Sequence, residues 1–328
     1  MIRVACDYCG SDDNALVFRA RDTNYGFAGE FAIVRCRRCG LVYLGPRPNE
    51  HEIGLYYPDG DYNCFKSDAT SDPLGDDHHF VKAAKTRNLE RGRLCDIGCG
   101  SGSFLVSARA SGWQVAGVEP NDYARQICQQ HLPDVPLYAS LTEASFAADS
   151  FDAVTMWHVL EHLPSPSETL REINRMLRPG GLLGIALPNF DSIERRIWGP
   201  HWISISAPTH LFHFEPATLT QYLDRFGLQV MTVIQLPGAN SLAANILRTL
   251  RNLLLDPFAA QPRDSSPDPD IAPGSDGAPV RSSPGYSLSG DTKERALRVA
   301  TRAVYPLAWL NARLGHGSEL IVYAYKAK

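Results

Sequence analysis

The sequence predicts a doubly wound α/β fold with a mostly parallel sheet, preceded by a small cysteine-rich module. Three observations carry this. From residue 93 to 236 short apolar runs alternate with amphipathic stretches, the pattern of a parallel sheet covered by helices on both faces. The first run ends in an acid and a glycine-rich turn, Asp96-Ile97-Gly98-Cys99-Gly100-Ser101-Gly102. The second, Trp113 to Glu119, again ends in an acid. It lies about 20 residues after the glycines, where a nucleoside-binding α/β fold places the carboxylate that accepts the ribose hydroxyls.

The chain opens with Cys6-Asp7-Tyr8-Cys9-Gly10 and repeats the pattern at Cys36-Arg37-Arg38-Cys39-Gly40. Each C-x-x-C turn presents two thiolates toward one tetrahedral ion, and the glycine after each lets the backbone turn under the sulfurs. Cys6, Cys9, Cys36 and Cys39 are therefore expected to hold a structural Zn²⁺, with 1–46 forming a ribbon whose strands fall near 15–19, 30–36 and 41–44. A unit this small buries little core, and bound zinc contributes on the order of 10 kcal/mol to such modules. Arg35, Arg37 and Arg38 are offset by Asp7, Asp12 and Asp13, so the ribbon reads as a structural, substrate-shaping cap. Residues 47–91 read as a linker and lead-in: a break at Pro46-Arg47-Pro48, a short helix at 52–57, the aromatics Tyr56, Tyr57, Tyr62 and Phe65, and an amphipathic helix from Phe80 to Arg91.

The core spans 92–236, with strands expected at 93–97, 114–118, 136–138, 151–155, 181–186 and 229–236. Gly98, Gly100 and Gly102 clear space over the backbone, and the free N–H groups of the following helix, 103–110, point at whatever lies there. Asp96 selects the ligand. A carboxylate beside a diphosphate is repelled, whereas beside the cationic amino acid end of S-adenosylmethionine (SAM) it is favoured. Glu119 is then the ribose acid, and Ser140, after the third strand, is placed at the adenine. Trp157-His158-Val159-Leu160-Glu161-His162 begins where the fourth strand ends, over the sulfonium, with Trp157 against the cofactor. An acceptor hydroxyl needs one base with a pKa near 7. His158 is the first candidate and His162 the second, with Glu161 orienting a histidine.

At these residues the chain resembles the class I SAM-dependent methyltransferases. Asp96 to Gly102 looks like their first motif, Glu119 like their ribose acid, Phe151 to Leu163 like their fourth-strand motif, and Leu177-Arg178-Pro179-Gly180-Gly181 like the turn before strand five. The resemblance covers roughly 80–236 and a last strand near 319–327. It implies a Rossmann-like, seven-stranded methyltransferase fold that binds SAM. The acid that the family carries after its third strand is absent here. Glu161-His162 with a later histidine also resembles the Mg²⁺ site of small-RNA 2′-O-methyltransferases, with His158 where those enzymes carry an acid. The loop with Trp198, His201, Trp202, His210, Phe212, His213 and Phe214 resembles bacterial methyltransferases that carry an N-terminal cysteine ribbon and modify sugars or glycans. That likeness implies a small-molecule or glycan-type acceptor: a sugar, nucleotide sugar or lipid-linked saccharide.

Residues 237–318 read as an insertion before a final strand at 319–328 that runs antiparallel to its neighbours. Within it, 261–290 is Pro-, Ser-, Asp- and Gly-rich and is expected to be disordered. The flanking helices, 241–255 and 293–314, carry apolar faces with arginine flanks, suited to a membrane surface, to each other or to a homodimer. A net charge of −4 without a basic stripe argues against nucleic acid. An RNA methyltransferase gripping RNA with its ribbon, and a SAM-binding scaffold without turnover, stand as the alternatives. Met1 to Cys6 shows no signal peptide and no stretch reaches the ~18 apolar residues of a membrane span, so the expected location is the cytoplasm, with membrane association through the two helices.

Overall fold

The structure is a computed structural model that describes residues 1–22, 24–25, 27–57, 76–89, 91–255 and 291–327. The expected disorder of 261–290 and the aromatics Tyr62 and Phe65 lie outside these residues. In chain order the N-terminal part gives β1 (Asn14–Ala20), β2 (Phe31–Cys36), β3 (Val42–Leu44), α1 (Glu50–Ile53) and α2 (Asp76–Thr86). The core follows with β4 (Arg93–Ile97), α3 (Ser103–Ala110), β5 (Gln114–Val118), α4 (Asp122–His131), β6 (Leu137–Tyr138), α5 (Leu141–Ala144), β7 (Phe151–Trp157), α6 (Pro166–Met176) and β8 (Leu177–Pro188). Then come α7 (Ile193–Trp198), β9 (Phe212–His213), α8 (Pro216–Arg225), β10 (Leu228–Leu236), α9 (Ala239–Leu255), α10 (Asp291–Arg313) and β11 (Glu319–Lys326).

The large sheet has the order β10-β11-β8-β7-β4-β5-β6. Pairing is parallel from β8 through β7, β4 and β5 to β6, while β11 lies antiparallel to both β8 and β10. The central strands are apolar throughout because helices cover both faces; Leu182 to Ala186 in β8 is buried without interruption. Two boundaries differ from the sequence pattern. Leu177 to Gly181 belongs to β8 rather than to a turn, with a register shift opposite Phe151 and Ala153. The lead-in helix starts at Asp76 and ends at Thr86, where Asn88 turns left-handed at φ 57°.

The ribbon sheet has the order β1-β2-β3-β9, so its fourth strand comes from the core. Val42 pairs with His213 and Tyr43 with Phe212, and the Leu44 amide donates to the Leu211 carbonyl at 2.9 Å. One apolar cluster runs from Ile33 and Leu44 through Phe212 and Phe214 to Val154 and Leu183 in the main sheet. The ribbon, too small for a core of its own, shares that of the catalytic sheet.

Helices α9 and α10 pack against each other through Ala239, Leu242 and Ala308, with Ile246 and Val304 at the edge. Leu307, Trp309 and Leu310 of α10, although apolar, are exposed. Small Ala308 permits the close approach, which turns the larger residues outward. Among the described residues no helix is long and apolar enough to cross a membrane.

Candidate functional site

The cofactor side is built at the carboxyl ends of β4 and β5. Asp96 ends β4 and is 2% exposed; its Oδ1 accepts a hydrogen bond from Thr155 Oγ1 on β7 at 2.7 Å. Burial, with the nearby charge of Glu119 adding, pushes the Asp96 carboxyl up to about 7, and the Thr155 bond moderates this. Glu119 accepts from the Gly100 amide at 2.9 Å and from the Asn121 amide at 2.8 Å. One loop amide is therefore committed to holding the Glu119 carboxylate rather than left for a ligand. Gly98 sits at φ +72°, and a Cβ there would lie 2.3 Å from Val159 Cγ2. Gly102 caps α3 at φ +90°, with Cys128 Sγ 2.5 Å from where its Cβ would be. Trp157 packs edge-on to Phe104 at 5.1 Å, and its Nε1 is buried with no hydrogen-bond partner among the described residues. Ser140 is exposed and caps α5, accepting from the Glu143 amide at 3.1 Å. These side chains fit SAM: two acids of different depth, a loop stripped of side chains, and a buried indole N–H in need of an acceptor.

The acceptor side begins one residue on. His158 takes a left-handed φ of 55°, an uncommon conformation for a residue with a Cβ, and its amide donates to Ala186 O at 2.8 Å. That geometry swings its ring back to Glu161, with Nδ1 3.3 Å from Oε1. Glu161 is 1% exposed, and its own carbonyl accepts from the Leu211 amide at 2.8 Å. Among the described residues neither carboxylate oxygen of Glu161 has a hydrogen-bond partner. His162 Nδ1 lies 2.9 Å from both the Thr209 carbonyl and Tyr57 Oη. The His162 and His210 rings meet edge to face at 4.5 Å. Burial holds both imidazoles below the ordinary histidine range, His210 furthest because His162 and His213 crowd it as well.

The structure thus brings His158, Glu161 and His162 together and adds Tyr57, Thr209 and His210 to them. The aromatic loop divides. His210 turns toward His162, while Phe212, His213 and Phe214 pack into the ribbon and Trp202 is fully buried. Thr155 and Val159 were missed because a threonine or valine in a strand end carries no chemical signal by itself. The tie to Tyr57 crosses 105 positions and has no local pattern at all.

A second centre lies in the ribbon. Cys6 and Cys39 sulfurs stand 3.4 Å apart and those of Cys9 and Cys36 3.5 Å. All four fall within 4.8 Å of one another. Four thiolates around zinc at about 2.3 Å would sit roughly 3.8 Å apart, so the cluster fits a tetrahedral thiophilic ion. Burial pushes the Cys39 thiol up to about 11 and the Cys6 thiol higher, while hydrogen bonds outweigh burial at Cys36 and lower it, so a cation would be needed to hold Cys6 and Cys39 as thiolates. The centre is latched to the core: Asp7 accepts from the Ser167 amide and hydroxyl, each at 3.1 Å, and from Tyr222, while Arg47 donates to Pro164 O at 2.7 Å.

Residues 74–233 match the family described as "Methyltransferase domain". Fold and match together define the class: the chain carries a class I SAM-dependent methyltransferase domain. Among curated relatives it is 30% identical over 154 residues to the ubiquinone biosynthesis O-methyltransferase of Aromatoleum aromaticum, covering 43% of this chain and 66% of that one. To the protein of the same name from Pseudomonas syringae pv. tomato it is 29% identical over 166 residues, covering 45% and 69%. The chain therefore spans about two thirds of the length of these relatives. In fold it is similar to phosphoethanolamine N-methyltransferase 2 of Haemonchus contortus in complex with SAM, with a TM-score of 0.51, 14% identity, and coverage of 95% of this chain and 71% of that one.

Proposed function

We propose that this protein transfers the methyl group of SAM to a hydroxyl oxygen of a small-molecule acceptor, with His158 as the general base. One observation carries the reading. The glycine loop and the histidine segment are in direct contact, since a Cβ on Gly98 would fall within 2.3 Å of Val159, the residue between His158 and the Glu161 turn. The SAM loop and the histidine segment thus lie side by side.

SAM, when bound, supplies a methyl group on a good sulfonium leaving group. The residues read as holding it are Asp96, Gly98, Gly100, Gly102, Glu119, Ser140 and Trp157. Ionised Asp96 favours the cationic amino acid end, and Glu119 accepts from the ribose. The acceptor side needs alignment and the removal of one proton. His158 takes the proton of the hydroxyl, and the Glu161 carboxylate 3.3 Å away stabilises the imidazolium that forms. His162 is the alternative base; its Nδ1 contact to the Thr209 carbonyl makes it better suited to a fixed position. The curated relatives are O-methyltransferases by name, which supports an oxygen nucleophile. Trp202, Phe212 and Phe214 of the loop are buried, so they offer no aromatic face to a sugar ring. The ribbon, with Zn²⁺ on Cys6, Cys9, Cys36 and Cys39, serves as a cap that braces this loop through β9.

The test uses SAM with a labelled methyl group and an extract divided into small molecules, lipids and RNA. Label in a small-molecule or lipid hydroxyl supports the reading. Label in RNA would overturn it, and so would a full rate from His158→Ala on the true acceptor.

A further inference from the structure

Glu161, His162 and His210 do more than a single base requires. One ligand atom from each lies within 4.8 Å of the other two. His210 reaches the turn after β7 from the loop before β9, and the Leu211 amide bonded to Glu161 O fixes that approach.

Counting hydrogens decides what the cluster is for. A carbonyl oxygen can only accept. His162 Nδ1 lies 2.9 Å from Thr209 O, and His210 Nδ1 lies 2.9 Å from Ser204 O. Each Nδ1 therefore carries the ring proton, and each Nε2 is left with a lone pair. Tyr57 Oη, also 2.9 Å from His162 Nδ1, shares that proton as a second acceptor. Glu161 is 1% exposed, and among the described residues neither of its carboxylate oxygens has a hydrogen-bond donor. His158 Nδ1 is its nearest basic neighbour, at 3.3 Å from Oε1. Glu161, buried, and His162 and His210, half-buried, thus each have a lone pair to offer within one cluster. Such a set is costly unless something positive completes it.

We propose that Glu161, His162 and His210 form a divalent-cation site that takes a first-row transition ion such as Mn²⁺, Fe²⁺ or Zn²⁺. Two imidazoles and one carboxylate suit those ions, whereas Mg²⁺ prefers an octahedron of oxygens. The carbonyls of Thr209 and Ser204 supply the outer hydrogen bonds that fix the tautomer and aim of a ligating histidine. The Mg²⁺ likeness seen in the sequence gives way here, because one acid of that set is His158. Three protein ligands leave positions open for an acceptor oxygen, and a bound ion lowers the pKa of such a hydroxyl. The hydroxyl proton goes to His158. The oxygen then forms its bond to the methyl carbon while the sulfur keeps the electron pair of the broken C–S bond, leaving S-adenosylhomocysteine. The role in transfer rests on the function proposed above; the binding of the ion does not.

The test titrates the full-length protein, its ribbon loaded with zinc, with MnCl₂ and reads free Mn²⁺ by electron paramagnetic resonance. Mn²⁺ does not displace zinc from four thiolates, so it reports the second site alone. The expected result is one bound Mn²⁺ per chain, resistant to excess Mg²⁺. Glu161→Gln and His210→Ala should weaken it about 10- to 100-fold while SAM still binds, which shows the fold is intact. Paramagnetic broadening of the His162 and His210 ring signals in the unaltered protein gives a second reading that needs no variant. No bound Mn²⁺, Fe²⁺ or Zn²⁺ beyond the ribbon ion, or unchanged binding in Glu161→Gln, overturns the proposal. Mn²⁺ bound at this site with no methyl transfer to any acceptor upholds the site and refutes the proposed activity. Full transfer after removal of every ion but the ribbon zinc refutes the ion's part in it.

Discussion

Gly98→Ala should act on the SAM loop and the histidine segment at once, and the two effects can be separated. The residue sits at φ +72°, where an L side chain costs roughly 1–2 kcal/mol. Its new Cβ would also lie 2.3 Å from Val159 Cγ2 and 3.2 Å from Cγ1, distances at which something must shift. Overpacking of this kind costs about 1–3 kcal/mol, so the single variant should lose about 2–5 kcal/mol of stability in total. Val159 is the side chain that must move, and it lies between His158 and the Glu161 turn. The acceptor site should therefore suffer along with the SAM loop. Val159→Ala removes both Cγ atoms and leaves only its Cβ, at 3.4 Å, an ordinary contact. In Gly98→Ala/Val159→Ala the steric part should vanish and the backbone part remain. Urea unfolding of the four proteins, with calorimetric SAM titrations alongside, gives the coupling. The expected coupling is about 1–3 kcal/mol, with the double variant recovering SAM affinity. Losses that add to within about 0.5 kcal/mol, the tolerance for independent sites, would refute the claim that the loop and the histidine segment touch.

Other consequences are as open to measurement. Burial pushes the Asp96 carboxyl up to about 7, so the free protein keeps its proton below that pH and gives it up when the SAM cation arrives. SAM affinity should rise between pH 6 and 8, with proton release near pH 7 seen by calorimetry in buffers of different ionisation enthalpy; a flat profile would remove Asp96 from the cofactor's cationic end. The same shift has a stability sign. An acid whose folded pKa is raised favours the folded state at low pH, so the free protein should lose on the order of 4 kcal/mol as pH rises from about 4 through 7. His158→Ala should slow transfer about 10²- to 10⁴-fold with SAM affinity within about twofold; an equal loss of SAM binding would mean that the residue holds the loop rather than the proton. Stripping the ribbon ion with a thiophilic chelator should lower acceptor affinity while SAM still binds, because Val42 and Tyr43 of the ribbon hold the strand that follows His210. Loss of SAM binding in the same step would show that the ribbon supports the whole core instead.

The cofactor half of the site was legible because its signals are local. An acid, three glycines and a second acid at the next strand end lie within one βαβ unit, and the parallel sheet follows from the alternation of apolar runs. The acceptor half was legible only in part. His158, Glu161 and His162 share one turn and could be named together. His210 was visible only as one of several histidines in an aromatic loop, and nothing local separated it from His213. Their difference arises in three dimensions. A two-residue strand, Phe212 and His213, pairs with the ribbon and carries these rings into the core, while His210, just before it, meets the His162 ring. Two residues are too few for any periodicity to register. The outward turn of α10 has the same cause: Ala308 at the crossing with α9 decides which stripe docks, and an alanine gives no signal of being an anchor.

The strand that completes the ribbon also sets an order in time. On a chain leaving the ribosome, all four cysteines and the edge of β3 appear long before their partner strand; Arg35 precedes its ion-pair partner Glu215 by 180 positions. The ribbon can gather its ion from local turns, but the β3 edge must wait, unpaired, until the SAM-binding half of the main sheet has been synthesised. An open edge invites pairing with other chains, and natural proteins limit that hazard by keeping edge strands short. At three residues, Val42 to Leu44, β3 meets that need. The step that closes this edge is the same one that brings His210 to Glu161, so newly made protein assembles that cluster only when the ribbon ceases to be sticky.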